Sequence, residues 1–234
     1  MNAVRIPCLV LGLLLPSAAV RSQAADADVH AQLLMGKTSR AQRTAAAVIW
    51  LKPTDDTPSA PFVSSQPYTL LQKNRTFKPH LLVVPVGSVV RFPNADPFFH
   101  NVFSLFDGKR FDLGLYEAGS TKSVTFSREG VSYIFCNIHP EMSAVILSLS
   151  TRLFDVADSA GTFKLGDVPA GEYEMHVWVE GITQPVLNNL TRRVHVNSGN
   201  TDLGKIELPA GVHPATSHEN MYGQPYDREA KPAY

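Results

Sequence analysis

The stretch that decides the fold is Phe135-Cys136-Asn137-Ile138-His139-Pro140-Glu141-Met142. It brings a thiol, an imidazole and a thioether into one short segment, with the spacing C-x2-H-x2-M. A second imidazole, His100, lies upstream in Phe98-Phe99-His100-Asn101-Val102, and the interval between them is long enough for a β-hairpin. Four side chains that can bind a soft metal ion therefore follow one another in a fixed order.

The order of these four side chains indicates a copper centre. Two imidazoles and one thiolate in a trigonal plane, with a weak axial thioether, are the ligands of a blue-copper electron-transfer site. Taken singly, each residue has an ordinary explanation, because free Cys and Met are common in protein cores. Together they predict one type 1 copper ion, with His100, Cys136 and His139 in the plane and Met142 on the axis.

The region from about residue 81 to residue 150 resembles a cupredoxin of the plastocyanin, amicyanin and pseudoazurin group. The short Cys136–His139–Met142 spacing is most similar to that of amicyanin. The string from Asp96 to Ser104, together with the Cys136 loop, also resembles bacterial proteins labelled "methylamine utilization protein". The resemblance implies that an exposed edge of His139 passes electrons, and that Asn101 ties the two ligand loops together by hydrogen bonds. We expect Asn101 and Asn137 to lie immediately outside the ligands.

The first 24 residues are typical of a cleaved secretory signal peptide. A short positive segment precedes the apolar run from Ile6 to Val20, and Ser22-Gln23-Ala24 is a small-x-small cleavage site. The apolar run is too short for a comfortable membrane span. We therefore expect a periplasmic protein with no membrane span, in which Cys136 is the one remaining thiol. A lone thiol in an oxidising compartment is readily explained by metal binding.

Charge and composition exclude nucleic acid as a partner. Basic and acidic side chains are equal in number, and removal of Arg5 and Arg21 with the signal peptide leaves a slightly acidic protein. Such a chain has no basic surface for a phosphate backbone. Short apolar and β-branched runs separated by Pro, Gly and Asp are typical of an all-β protein.

The strand pattern predicts two β-sandwiches. About seven short strands over residues 76–150 indicate a Greek-key cupredoxin-like copper domain. Residues 151–208 contain Gly161-Thr162-Phe163-Lys164-Leu165 and Asp167-Val168-Pro169-Ala170-Gly171, a phrase that resembles a carboxypeptidase-regulatory-like or transthyretin-like sandwich. Residues 25–75 are interpreted as an N-terminal linker with strands, and the sequence leaves open which sandwich they complete. Residues 209–234 show no periodicity and are predicted to be a disordered tail.

Three functions fit this reading. The first is transfer of single electrons between redox partner proteins of the periplasm. The second is copper binding or delivery without redox use, and the third is a purely structural sandwich. An enzyme is not expected, because the sequence contains neither the His-x-His pairs of a multicopper oxidase nor an H-E-x-x-H motif. His80 is left out of the ligand set, since a histidine at the start of a strand is more often structural.

Overall fold

The computed structural model describes residues 26–34, 45–54, 62–63, 66–105 and 108–209. The predicted signal peptide, and the predicted tail from residue 210 onward, lie outside these ranges. The described residues form strands and one short helix. They are, in chain order, β1 (Ala27–Leu34), β2 (Ala47–Pro53), β3 (Tyr68–Thr69), β4 (Leu71–Gln72), β5 (Phe77–Lys78), β6 (Leu81–Pro85), β7 (Ser88–Pro93), β8 (His100–Ser104) and β9 (Phe111–Tyr116). They continue with β10 (Thr121–Phe126), β11 (Gly130–Phe135), β12 (Ser143–Leu149), β13 (Phe154–Val156), β14 (Thr162–Val168), β15 (Gly171–Val179), α1 (Gln184–Leu190), β16 (Arg192–Val196) and β17 (Gly199–Glu207).

The predicted all-β fold class is confirmed. The middle of the chain forms a sandwich of a five-stranded sheet, ordered β6-β12-β11-β8-β9, and a three-stranded sheet, ordered β10-β7-β3. Strands distant in sequence are neighbours in both sheets, as Greek-key connections require. The core of this sandwich contains large buried side chains such as Phe92, Phe126 and Ile146. No helix of the described residues is long and apolar enough to span a membrane.

A second sandwich combines both ends of the described chain. Its sheets are β13-β2-β15-β16 and β14-β1-β17. Strand β1 runs antiparallel to β14 and parallel to β17, and β2 lies between β13 and β15. Residues 25–75, predicted as an N-terminal linker with strands, therefore include the central strand of one sheet, β1. The residues of β1 alternate between buried and more exposed positions. The buried ones, Ala27, Val29, Ala31 and Leu33, are at most 3% exposed.

Strand β12 packs on both of its faces. Ala144 and Ile146 lie in the core of the middle sandwich. Val145, Leu147 and Leu149 alternate with them and belong to the core cluster that also contains the side chains of the second sandwich. The unbroken apolar run of this strand is explained by burial on both faces, which removes the polar alternation of a half-exposed strand.

The predicted metal ligands lie at the ends of neighbouring strands, on the same end of the five-stranded sheet. His100 is the first residue of β8, while Cys136 directly follows β11 and Met142 directly precedes β12. Strand β11 pairs with β8 on one side and with β12 on the other. The loop from residue 136 to residue 142 therefore lies next to the start of β8.

Candidate metal centre

Three of the predicted ligands lie together in the protein interior. His100 Nδ1 is 3.1 Å from His139 Nδ1, and Cys136 Sγ is 3.9 Å from the first nitrogen and 3.6 Å from the second. His100 and Cys136 are fully buried. His139 is only 2% exposed, so the exposed His139 edge expected from the resemblance is not found. Among the described residues these three are the group of His, Cys, Asp or Glu side chains close enough to hold one metal ion.

The separations fit bonds to a single small ion. Metal–nitrogen bonds of about 2.0 Å and metal–sulfur bonds of about 2.3 Å, at angles of roughly 100–120°, place the ligand atoms about 3.1–3.8 Å apart. The three distances between the His100, Cys136 and His139 atoms are close to that range. Two imidazoles and one thiol are the donors that copper accepts in electron-transfer sites. The donor set and its spacing therefore fit a copper ion.

Met142 is fully buried and lies in the same core cluster as Cys136. The loop that joins them is closed by two main-chain hydrogen bonds. Cys136 N–H donates to Met142 O at 3.3 Å, and Met142 N–H donates to His139 O at 2.9 Å. These bonds fix the spacing of the three loop residues. An axial bond from the Met142 sulfur remains a prediction.

Asn101 connects the two segments that carry the ligands. Its Oδ1 accepts a hydrogen bond from Asn137 N–H at 3.2 Å, and its Nδ2 donates to Asp112 Oδ1 at 2.7 Å. Asn101 is 4% exposed, so these bonds are shielded from water. The residue following His100 is thereby tied to the residue following Cys136.

Asp96 is a member of the site that the sequence reading did not single out. Its Oδ2 is 2.9 Å from Nε2 of His100, and the carboxylate is 5% exposed. In the sequence, Asp96 belongs to the turn-forming segment Pro93-Asn94-Ala95-Asp96-Pro97, and turn formation is by itself a sufficient reason for an Asp at this position. A buried imidazole that binds metal through one nitrogen needs an acceptor at the other. That requirement was the signal available for finding Asp96.

Burial sets the protonation preferences of the centre. It raises the pKa of the Cys136 thiol, against the lowering effect of hydrogen bonds from nearby main-chain N–H groups. Burial also lowers the pKa of His139, and the neighbouring His100 lowers it further. In the metal-free protein, one of the two Nδ1 atoms that face each other must carry a proton for them to share a hydrogen bond. A metal ion would displace this proton and that of the thiol.

The Phe98 ring packs against both histidines. The ring centre of Phe98 is 5.3 Å from that of His100 and 5.5 Å from that of His139. The next residue, Phe99, is 54% exposed.

His80 does not belong to the group of His100, Cys136 and His139. Its ring lies between Ser143 O, at 3.2 Å, and Glu180 Oε1, at 2.7 Å.

Comparison with known proteins finds similarity in both parts of the chain. The family described as "Polysaccharide lyase family 4, domain II" matches residues 155–203. This family differs from the carboxypeptidase-regulatory-like one that the sequence resembles, and that finer assignment remains a prediction. No curated protein matches the chain.

Several solved structures resemble part of the chain. A purple cupredoxin from Nitrosopumilus maritimus is 23% identical, with a TM-score of 0.32 over 35% of this chain and 99% of its own. A copper-containing nitrite reductase from Thermus scotoductus is 25% identical, with a TM-score of 0.35 over 42% of this chain and 25% of its own. A reduced Cu(I) form of an amicyanin variant is 18% identical, with a TM-score of 0.34 over 43% of this chain and 98% of its own.

Proposed function

We propose that this chain is a type 1 copper protein that carries single electrons between redox partner proteins. The observation that supports this most directly is the buried triangle of His100 Nδ1, Cys136 Sγ and His139 Nδ1. Copper bound there would alternate between Cu(II) and Cu(I). A soft thiolate favours the reduced ion, and imidazole is a suitable ligand for both.

Each residue has a defined task in this proposal. His100, Cys136 and His139 would hold the ion, and Met142 would supply a weaker fourth donor. Asn101 and Asn137 keep the two ligand segments at a constant separation through their hydrogen bond. A centre whose ligands barely move between oxidation states loses little energy to reorganisation, which is what an electron carrier requires. The proposal assigns no catalysis to the chain.

Burial of the ligands favours electron transfer over copper delivery. A delivery protein must release its ion to a partner, and this requires ligands that the partner can reach. Here the two histidines and the thiol are at most 2% exposed. Electrons can pass through a buried ligand edge, whereas an ion cannot leave without local opening of the loop.

We also propose that the protein acts in the periplasm after removal of residues 1–24, with a copper domain inserted into a second sandwich. The strand pairing supports the insertion, because β1 and β2 pair with strands that follow β12. In this division the copper domain comprises residues 68–149. The second sandwich combines residues 27–53 with residues 154–207.

Absorption and EPR spectra recorded during titration of the protein with Cu(II) test the proposed function. One equivalent of copper is expected to give an intense thiolate-to-copper band and a narrow copper hyperfine splitting. The variant Cys136→Ser should lack both, since the band requires a copper–sulfur bond. A weak, ordinary Cu(II) spectrum for the unaltered protein, or a blue Cys136→Ser variant, would contradict the proposal.

A further inference from the structure

A two-residue turn between β4 and β5 is linked to the candidate metal centre by hydrogen bonds. Asn74 and Arg75 join β4 to β5, with φ values of 56° and 54°. Main-chain hydrogen bonds between Lys73 and Thr76 close the turn in both directions, at 3.0 and 3.2 Å. Positive φ at two successive residues is usual in a two-residue hairpin. Residues other than Gly adopt it at some energetic cost.

The two N–H groups of this turn hold the carboxylate of Asp96. Asn74 N–H donates to Asp96 Oδ1 at 2.6 Å, and Arg75 N–H donates to Asp96 Oδ2 at 3.0 Å. Successive main-chain N–H groups arranged in this way form a concave site for an anion. A hairpin does not itself require such contacts to a buried carboxylate that lies more than 20 residues downstream. Their presence therefore requires a separate explanation.

The Asp96 carboxylate, held in place by the turn, also contacts His100. An ionised carboxylate only accepts hydrogen bonds, so the 2.9 Å contact between Asp96 Oδ2 and His100 Nε2 requires a proton on Nε2. The neutral ring then has its lone pair on Nδ1, the atom that faces Cys136 and His139. Each oxygen of the Asp96 side chain accepts a main-chain N–H group, which favours a carboxylate that only accepts hydrogen bonds.

We infer that the Asn74–Arg75 turn is a positioning element of the metal centre, acting through Asp96 to set the tautomer and orientation of His100. The inference rests on the proposed function for the identity of the metal. The tautomer of His100, in contrast, is a property of the metal-free protein. Asn74 and Arg75 contact no ligand through their N–H groups, so they are positioning residues that act through Asp96.

The Arg75 side chain contributes a second contact near the same centre. Its guanidinium carbon lies 5.3 Å from the centre of the Phe98 ring, which in turn contacts both histidines. This contact and the N–H contact can be separated experimentally. Arg75→Gly removes the side chain but keeps both the N–H and the positive φ, which Gly adopts easily. Arg75→Pro removes the N–H and cannot adopt the positive φ.

Long-range proton–nitrogen NMR of the histidine rings in the metal-free protein is the first test. The unaltered protein and Arg75→Gly should both show His100 protonated on Nε2. In Arg75→Pro the population with the proton on Nδ1 should increase. Asp96→Asn should show the same change, because its amide can donate to Nε2. An unchanged His100 tautomer in folded Arg75→Pro would overturn the inference.

A second variant covers the case in which Arg75→Pro does not fold. One glycine inserted between Asn74 and Arg75 makes a three-residue turn, which moves both N–H groups away from Asp96 and leaves the strands intact. Its affinity for Co(II), used as a spectroscopic probe, should fall about 10–100-fold, as is typical when a partner of a metal-binding histidine is lost. Unchanged tautomer and affinity in this variant would also overturn the inference. Failure of the proposed copper function would instead appear in the unaltered protein, as a Cu(II) spectrum without a thiolate band.

Discussion

At the scale of single residues, the three side chains that meet at the candidate metal centre were predictable from the sequence, whereas Asp96, which contacts His100 from outside this group, was not. The residue types and their order, His100, Cys136 and His139, were enough to predict a metal centre, because imidazoles and a thiol bind soft metal ions. The structure brings these three side chains together. Asp96 was missed because an Asp in a turn already has a local explanation. Its contact with His100 depends on the fold of the segment between residues 96 and 100, which a residue pattern does not encode.

Met142 allows a prediction about the redox behaviour of the centre. If the proposed centre is correct, Met142→Leu should still bind copper, because His100, Cys136 and His139 remain. Its reduction potential should rise, because a weak axial donor to Cu(II) is lost. Redox titration of the copper band measures this. Met175→Leu is the matched control, since Met175 is also fully buried but lies in the second sandwich. Equal potentials for Met142→Leu and the unaltered protein would show that Met142 is not axial.

Asn101 allows a prediction about stability. Asn101→Ala removes the acceptor of Asn137 N–H and the donor to Asp112 Oδ1. The loss of these shielded bonds should lower the free energy of unfolding by about 1–3 kcal/mol. Denaturant titration of the metal-free protein measures the change, and Asn200→Ala, at an exposed position of β17, serves as the control. If the two variants are equally stable, Asn101 does not tie the ligand segments together.

At the scale of elements, β1 shows where the sequence pattern loses information. Its inward-facing positions alternate regularly but are occupied by Ala, Val, Ala and Leu, so half of them contribute a weak apolar signal. Its partners, β14 and β17, lie more than 120 residues further along the chain. Pairing over such a distance is decided by the assembled sheet rather than by local propensity.

A charge placed within β1 should therefore destabilise the whole chain. Val29 is fully buried, and Val29→Asp would place an unpaired carboxylate in the core of the second sandwich, against which β12 also packs. The expected loss is more than about 3 kcal/mol of unfolding free energy. Thermal unfolding followed by circular dichroism measures it, with Asp28→Asn at the exposed neighbouring position as the control. A Val29→Asp protein that unfolds like the control would mean that β1 is only loosely attached.

At the scale of the whole molecule, His80 connects the two sandwiches. Its Nδ1 faces Ser143 O at 3.2 Å and its Nε2 faces Glu180 Oε1 at 2.7 Å. Both partners only accept hydrogen bonds, so both can be satisfied at once only by the protonated ring. The hydrogen bond to Glu180 raises the pKa of His80, and the same bond lowers the pKa of Glu180. No sequence pattern indicated this contact, because Ser143 begins β12 and Glu180 directly follows β15, both far from His80 in the sequence.

The stability of the protein should therefore depend on pH at this contact. The contribution from His80 is complete below its ordinary pKa of 6.5 and is lost as pH rises through the raised value. The contribution from Glu180 is complete above its ordinary pKa of 4.5 and is lost as pH falls through the lowered value. The pair should thus stabilise the fold most between about pH 4.5 and pH 6.5.

Unfolding free energies of the unaltered protein and Glu180→Gln, measured as a function of pH, test this effect. Because the His80 side chain is 48% exposed, the difference should be only about 0.2–1 kcal/mol at its largest. It should disappear at high pH, where His80 is neutral. Glu174→Gln, which removes the acid beside His176, is the control. A difference that stays constant across the pH range would show that His80 does not carry the effect.

The adjacency of β2 and β13 has a consequence for engineering. The chain leaves the second sandwich after β2 and returns to it at β13, and these two strands are paired at Trp50 and Phe154. The middle sandwich is therefore an insertion whose two ends lie side by side, so another domain could replace it without lengthening either connection. Transplanting it into a foreign host is harder. The isolated middle sandwich would expose Val145, Leu147 and Leu149, and it would need polar replacements at these positions to remain soluble.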